Sequence, residues 1–199
     1  MNNFFTSLDL ELNQPSNKII QIGACRFNLE TGEVVDTFNR YVKIDEPLCR
    51  NESICDIPKL TGITDQLLEE KGVDLISAYK DLAAWHRSPV PGQETGGRMN
   101  AVTWGGGDSR EIFEELRDRF NYTDPQGYCF GRRWFDVKTL FQFFRMSQGE
   151  TIQAGLGKAC KRLGHNFEGR KHNALYDAIN TAKIAHLLYE KMRGGFDNA

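Results

Sequence analysis

A mixed α/β sheet of about five strands, the first three antiparallel and the whole flanked by helices, is the fold the sequence predicts. Three observations carry that reading. Three strand-like runs occupy the first 43 residues with only short turns between them; the apolar periodicity turns helical near residue 56; and beyond residue 100 short strand-like segments alternate with helical ones. A length of 199 residues suits one domain with a substantial core, so residues 1–199 are expected to form a single unit.

Residues 4–12, 18–29 and 33–43 are rich in β-branched and aromatic types, with turn signals at Asn13-Gln14-Pro15-Ser16 and Thr31-Gly32. Links this short favour an antiparallel meander. Ile57, Leu60 and Ile63 then lead into Leu67 and Leu68, and residues 74–86 carry apolar side chains at helical spacing. Residues 87–100 hold two prolines and three glycines without an apolar face, which predicts an exposed loop. Ala101 to Trp104 predicts a short buried strand, followed by three glycines and a helix from Asp108 to Phe120. Trp134 to Val137 predicts another strand end before a helix through Phe144; helices near 153–163 and 173–192 follow, separated by Gly164 and Gly169.

The net charge of -2, from 25 basic and 27 acidic side chains, excludes a global positive field, so any phosphate binding must be local. Arg132-Arg133, Lys158-Lys161-Arg162 and Arg170-Lys171 are the local basic clusters, each of which also reads as a solvated face. Five scattered cysteines without a C-x-x-C pair argue against a disulfide framework and fit a reducing cytosol. The opening MNNFFTSLDLEL lacks the basic and apolar regions of a secretory signal, and nothing approaches the ~20 apolar residues of a spanning helix. The expectation is a cytoplasmic protein without membrane contact.

Leu8-Asp9-Leu10-Glu11-Leu12 is the most informative stretch. On a strand Asp9 and Glu11 share one face, their Cα atoms roughly 7 Å apart, and the leucines share the other. Two neighbouring carboxylates repel, burial raises the cost, and a hard divalent cation would remove it. Alone, the same alternation describes a sheet face open to solvent. Asp108 follows three glycines and precedes Glu111 by three residues, which resembles a capping box; a helix cap at a strand end can also serve a ligand site. His172 and Asp177 lie five residues apart, about 140° around a continuous helix. They converge only if His172 sits on the loop entering the helix and Asp177 within its first turns. Asp136 and His165 read as structural.

Taken together, Asp9-x-Glu11, Asp108, and His172 followed by Asp177 resemble the DEDD exonuclease superfamily, in its DEDDh subgroup. The resemblance runs from residue 4 to about 190. Leu60-Thr61-Gly62-Ile63-Thr64 is similar to the segment that borders the terminal nucleotide, and Gly155 through Arg170 to the approach to the last motif. Phe135 to Phe141 is similar to the RNA-trimming branch; Leu12 stands where many members have threonine.

The resemblance implies a ribonuclease H-like fold and 3′–5′ exonuclease activity on RNA or DNA with a free 3′ end. It implies two Mg2+ or Mn2+ ions held by Asp9, Glu11, Asp108 and Asp177, with Glu11 also close to the reacting groups and His172 as general base. Leu12, Leu60, Thr61 and Ile63 are the expected substrate contacts; for Leu12, Leu60 and Ile63 an ordinary core role is the alternative. The competing functions are a non-catalytic nucleic-acid-binding module of the same fold and an endonuclease on a related sheet. On oligomeric state the sequence is silent, and a dimer is compatible with it.

Overall fold

The structure, a computed structural model, describes residues 3–92, 100–130, 134–150 and 153–196. Its first strands follow the predicted meander. β1 (Phe4–Asn13) pairs antiparallel with β2 (Lys18–Asn28), and β2 with β3 (Val34–Tyr41). On the other side of β1, β6 (Asn100–Thr103) and β7 (Trp134–Asp136) join in parallel, giving the order β3-β2-β1-β6-β7. The acidic strand β1 is thus central. Between these halves lies a hairpin of β4 (Arg50–Asn51) and β5 (Cys55–Asp56), whose two-residue strands are too short to leave a period in the sequence.

Helices cover both faces. One face packs Leu8, Leu10, Ile22 and Ala24 against Ala78, Tyr79 and Leu82 of α3 (Leu75–Arg87), which lies beyond α1 (Ile57–Thr61) and α2 (Asp65–Lys71). Ile112 of α4 (Gly107–Glu114) joins the same cluster, and α4 continues into a π-helical turn at Glu115–Arg119. The other face packs Cys25, Phe27 and Val102 against α5 (Val137–Met146), α6 (Leu156–Arg162) and α7 (Ala174–Phe196). A strand buried on both sides reads as a continuous apolar run, which is why β2 shows almost no alternation.

Local chemistry explains several boundaries. Asp136 caps α5, accepting from the Thr139 amide at 3.0 Å, and also takes the Gly105 amide at 3.1 Å, the structural role expected of it. Thr64 and Asp74 cap α2 and α3 in the same way. The helix expected from Asp108 begins one residue earlier, and α7 runs four residues past its expected end. Residues 93–99 of the expected loop and the pair Arg132-Arg133 lie outside the described residues. Among the described residues no helix is long and apolar enough to cross a membrane. All five cysteines are free thiols.

Candidate active site

Alternation along β1 separates its two sets of side chains as expected. Leu8 and Leu10 are buried against α3, and Asp9 and Glu11 point the opposite way. That second face is not open to solvent. The start of α7 lies over it, and Glu11 retains only 8% exposure. The small residues Ala174, Ala178 and Ala182 recur every fourth position on the buried side of α7, which lets the helix lie close to the sheet.

Asp177 occupies the first turn of α7, its amide donating to Asn173 O at 2.9 Å. His172 precedes the helix with φ of +56°, a left-handed residue that ends the approaching loop. The expected split, histidine on the loop and aspartate on the helix, therefore holds. Ligand atoms of Glu11, His172 and Asp177 all lie within 4.8 Å of one another.

Asp108 belongs to the first turn of α4, but the capping role expected for it is corrected. Gly106 is the N-cap, and among the described residues no side chain caps this helix. Asp108 is thus spared for another use, and the glycine run supplies the sharp passage from β6, with Gly105 at φ +101°.

Electrostatics couple Asp9 and Asp108 to these acids as well. Burial holds the Asp9 carboxyl well above the usual range, and Asp108, Asp177 and Glu11 push it further. Burial raises Glu11 to about 8, helped by Asp177 and Asp108. Asp108 is raised to about 7 by burial, then by Glu111 and Asp177. Burial brings Asp177 to about 6. Like charges crowded in a poorly solvated pocket call for a cation. Asp177 Oδ1 is buried and meets no hydrogen-bond partner among the described residues. The donors gathered here, carboxylate oxygens with one imidazole nearby, are those that hard divalent ions accept. The residues fit such a group.

The expected substrate contacts divide. Leu60 on α1 is 40% exposed. Ile63, at 1%, is core, packed with Ile20, Leu48 and Ile57. Thr61 is buried, its hydroxyl donating to Ile57 O at 2.9 Å and accepting from the Ile63 amide at 3.0 Å. Leu12 packs against the α3-side cluster. The core alternative describes Ile63, Thr61 is buried beside it, and Leu12 is only partly buried. The basic residues are partly occupied as well: Arg162 pairs with Glu150 at 2.7 Å, and Lys171 lies 5.8 Å from the Phe167 ring centre.

Several positioning groups escaped the sequence reading. Arg170 Nη2 reaches across to Lys59 O at 3.2 Å, and a Cβ on Gly62 (φ +80°) would fall 2.0 Å from Arg170 Nη1. Asn180, fully buried, accepts from the Glu168 amide at 3.0 Å and meets His165 Nε2 at 3.1 Å, which gives His165 its expected structural role. Gln21 and Gly23 face the acids across the sheet. A polar amide and a glycine interrupting the run Ile19-Ile20-Gln21-Ile22-Gly23, opposite Asp9-x-Glu11, were the signal available.

Solved structures with a similar fold include nucleases. The nuclease domain of 3′hExo, a DEDDh family member bound to rAMP, superposes with a TM-score of 0.74 at 21% identity, covering 96% of this chain and 93% of that one. Cell-death related nuclease 4 gives 0.76 at 18% identity, over 95% and 64% of the two chains. ERI1 exoribonuclease 2 of Xenopus laevis is 27% identical over 185 residues, 85% of this chain; the chain spans 25% of that relative's length. The DEDDh resemblance and the ribonuclease H-like α/β fold expected from the sequence both hold. The model of the 3′-5′ exoribonuclease Rv2179c-like domain matches residues 4–189, and the chain belongs to that family.

Proposed function

We propose that the chain forms one catalytic domain, a divalent-metal-dependent 3′–5′ exoribonuclease that releases nucleoside 5′-monophosphates from RNA with a free 3′ end. The observation that carries this reading is the approach of Glu11, His172 and Asp177 within 4.8 Å, with Asp177 Oδ1 buried and without a hydrogen-bond partner among the described residues. The choice of RNA over DNA rests on the family's description as exoribonuclease. Five free thiols suit a reducing compartment, so the proposed location is the cytosol.

Asp9, Glu11, Asp108 and Asp177 would hold two Mg2+ or Mn2+ ions. Bound there, such ions supply charge stabilisation at the phosphodiester oxygens and acidify the attacking water. The remaining work falls to the chain. His172, exposed at the mouth of the site, takes the proton from that water on a ring nitrogen. Glu11, on rigid β1, fixes the reacting group relative to the histidine. Leu60 offers an exposed apolar surface on which the last base can pack.

The test is a panel of end-labelled RNA and DNA oligonucleotides resolved by gel, in Mg2+ and in chelator. A ladder growing from the 3′ end on RNA, lost in chelator, is the expected result. A mobility shift without cleavage would instead identify a binding module, and cutting of circular RNA an endonuclease.

A further inference from the structure

The two acids of β1 have particular partners across the sheet: Glu11 pairs with Gln21, and Asp9 with Gly23. Cross-strand partners point to the same face, so Gln21 and Gly23 form the floor beside the carboxylates. Both touch the start of α7. Gln21 is fully buried; its Oε1 accepts the Ala174 amide at 3.1 Å, and its Nε2 donates to Asn39 Oδ1 at 2.9 Å. Ala174 is the first residue of α7, and its amide is one of the donors a helix cannot satisfy internally. At Gly23 a Cβ would fall 2.1 Å from Ala174 C and Leu175 N, which are backbone atoms that cannot swing aside.

We infer that Gln21 is a positioning residue for the catalytic centre, setting through Ala174 the height and rotation of the helical turn that presents Asp177 and His172 to Glu11. Gly23 completes the seat by leaving room for that turn. The amide's hydrogen bonds run to α7 and to Asn39, so its orientation is fixed at both ends. A methionine of similar length would fill the space but leave the Ala174 amide without an acceptor. The turn would then be free to shift, and a metal site tolerates little displacement of its ligands. This inference rests on the metal-dependent nuclease reading above.

The experiment compares Gln21→Met with Leu82→Ala, a core substitution on the α3 face of the sheet. Three quantities are read: thermal midpoint in chelator, Mn2+ affinity by calorimetry without RNA, and kcat and KM on a labelled RNA. Gln21→Met is expected to weaken Mn2+ binding about ten-fold and lower kcat at saturating Mn2+, with KM within about two-fold. Leu82→Ala should lose at least as much thermal stability and keep both quantities per folded molecule. Should Gln21→Met fail to fold, Asn39→Ala, which frees only the far end of the amide, should shift Mn2+ affinity in the same direction by less. Mn2+ affinity and kcat unchanged in Gln21→Met, or in its replacement Asn39→Ala, would overturn the inference. So would a loss that merely tracks thermal stability in both comparison proteins. If the wild-type chain binds Mn2+ but cleaves no RNA, the nuclease reading fails, while the Mn2+ affinities still decide the role of Gln21.

Discussion

The two faces of β1 are built from neighbouring residues on opposite principles. Leu8 and Leu10 meet α3 in a close-packed interior, where burial and stability go together. Asp9 and Glu11, one residue away, are also enclosed, yet burial sets them against one another and against Asp108 and Asp177. One face stabilises the fold; the other carries a cost that protonation or a bound cation would relieve. A strand can hold both because its side-chain period of two keeps the sets apart.

The largest way to break this contrast is Asp9→Ala. It should reduce hydrolysis of RNA to background while the protein stays folded, with a metal-free thermal midpoint equal to or above that of wild type, because a repelling group is gone. Full activity in the purified variant would sink the proposed chemistry. His172→Ala should lower turnover about 10²- to 10⁴-fold, the range for loss of a general base, with Mn2+ affinity nearly unchanged. Unchanged turnover would remove the histidine from the mechanism.

Leu8→Ala probes the other face. It should cost about 2–5 kcal/mol of stability by denaturant melt, yet leave the turnover of folded molecules close to normal. A smaller effect concerns pH. Glu11, Asp108 and Asp177 titrate at about 8, 7 and 6 in the fold, above the ~4 of free carboxylates. Each therefore contributes stability that is complete below about pH 4 and is lost as pH rises through the folded values. The metal-free protein should melt at a lower temperature at pH 8.5 than at 5.5, and saturating Mg2+ should flatten that slope. A metal-free midpoint rising with pH would contradict the crowding of acids.

These contrasts also explain what the sequence made legible. The leucine–acid alternation exposed both faces of β1 because a strand imprints its period directly on the chain. The antiparallel meander followed from short links, and the loop position of His172 from the angle that a helix would impose on it and Asp177. Asp108 misled as a cap, since the glycine run before it let the helix start earlier, with Gly106 in that place. Thr61 and Ile63 were indistinguishable from surface contacts because helical periodicity does not say which side is covered. Gln21 and Gly23 acquire meaning only once β2 is paired with β1 and α7 descends on them. Register and close approach are properties of two segments, and no single run of residues carries them.

The reach of Arg170 to α1 has one more consequence. The turn at Gly62 and the loop that delivers His172 are tied by a single guanidinium, although more than a hundred positions separate them along the chain. A side chain introduced at Gly62 must dislodge that tie. A substitution in the wall around Leu60 that moves this guanidinium would therefore be felt at the loop carrying His172 as well, so the two ends of the proposed site change together.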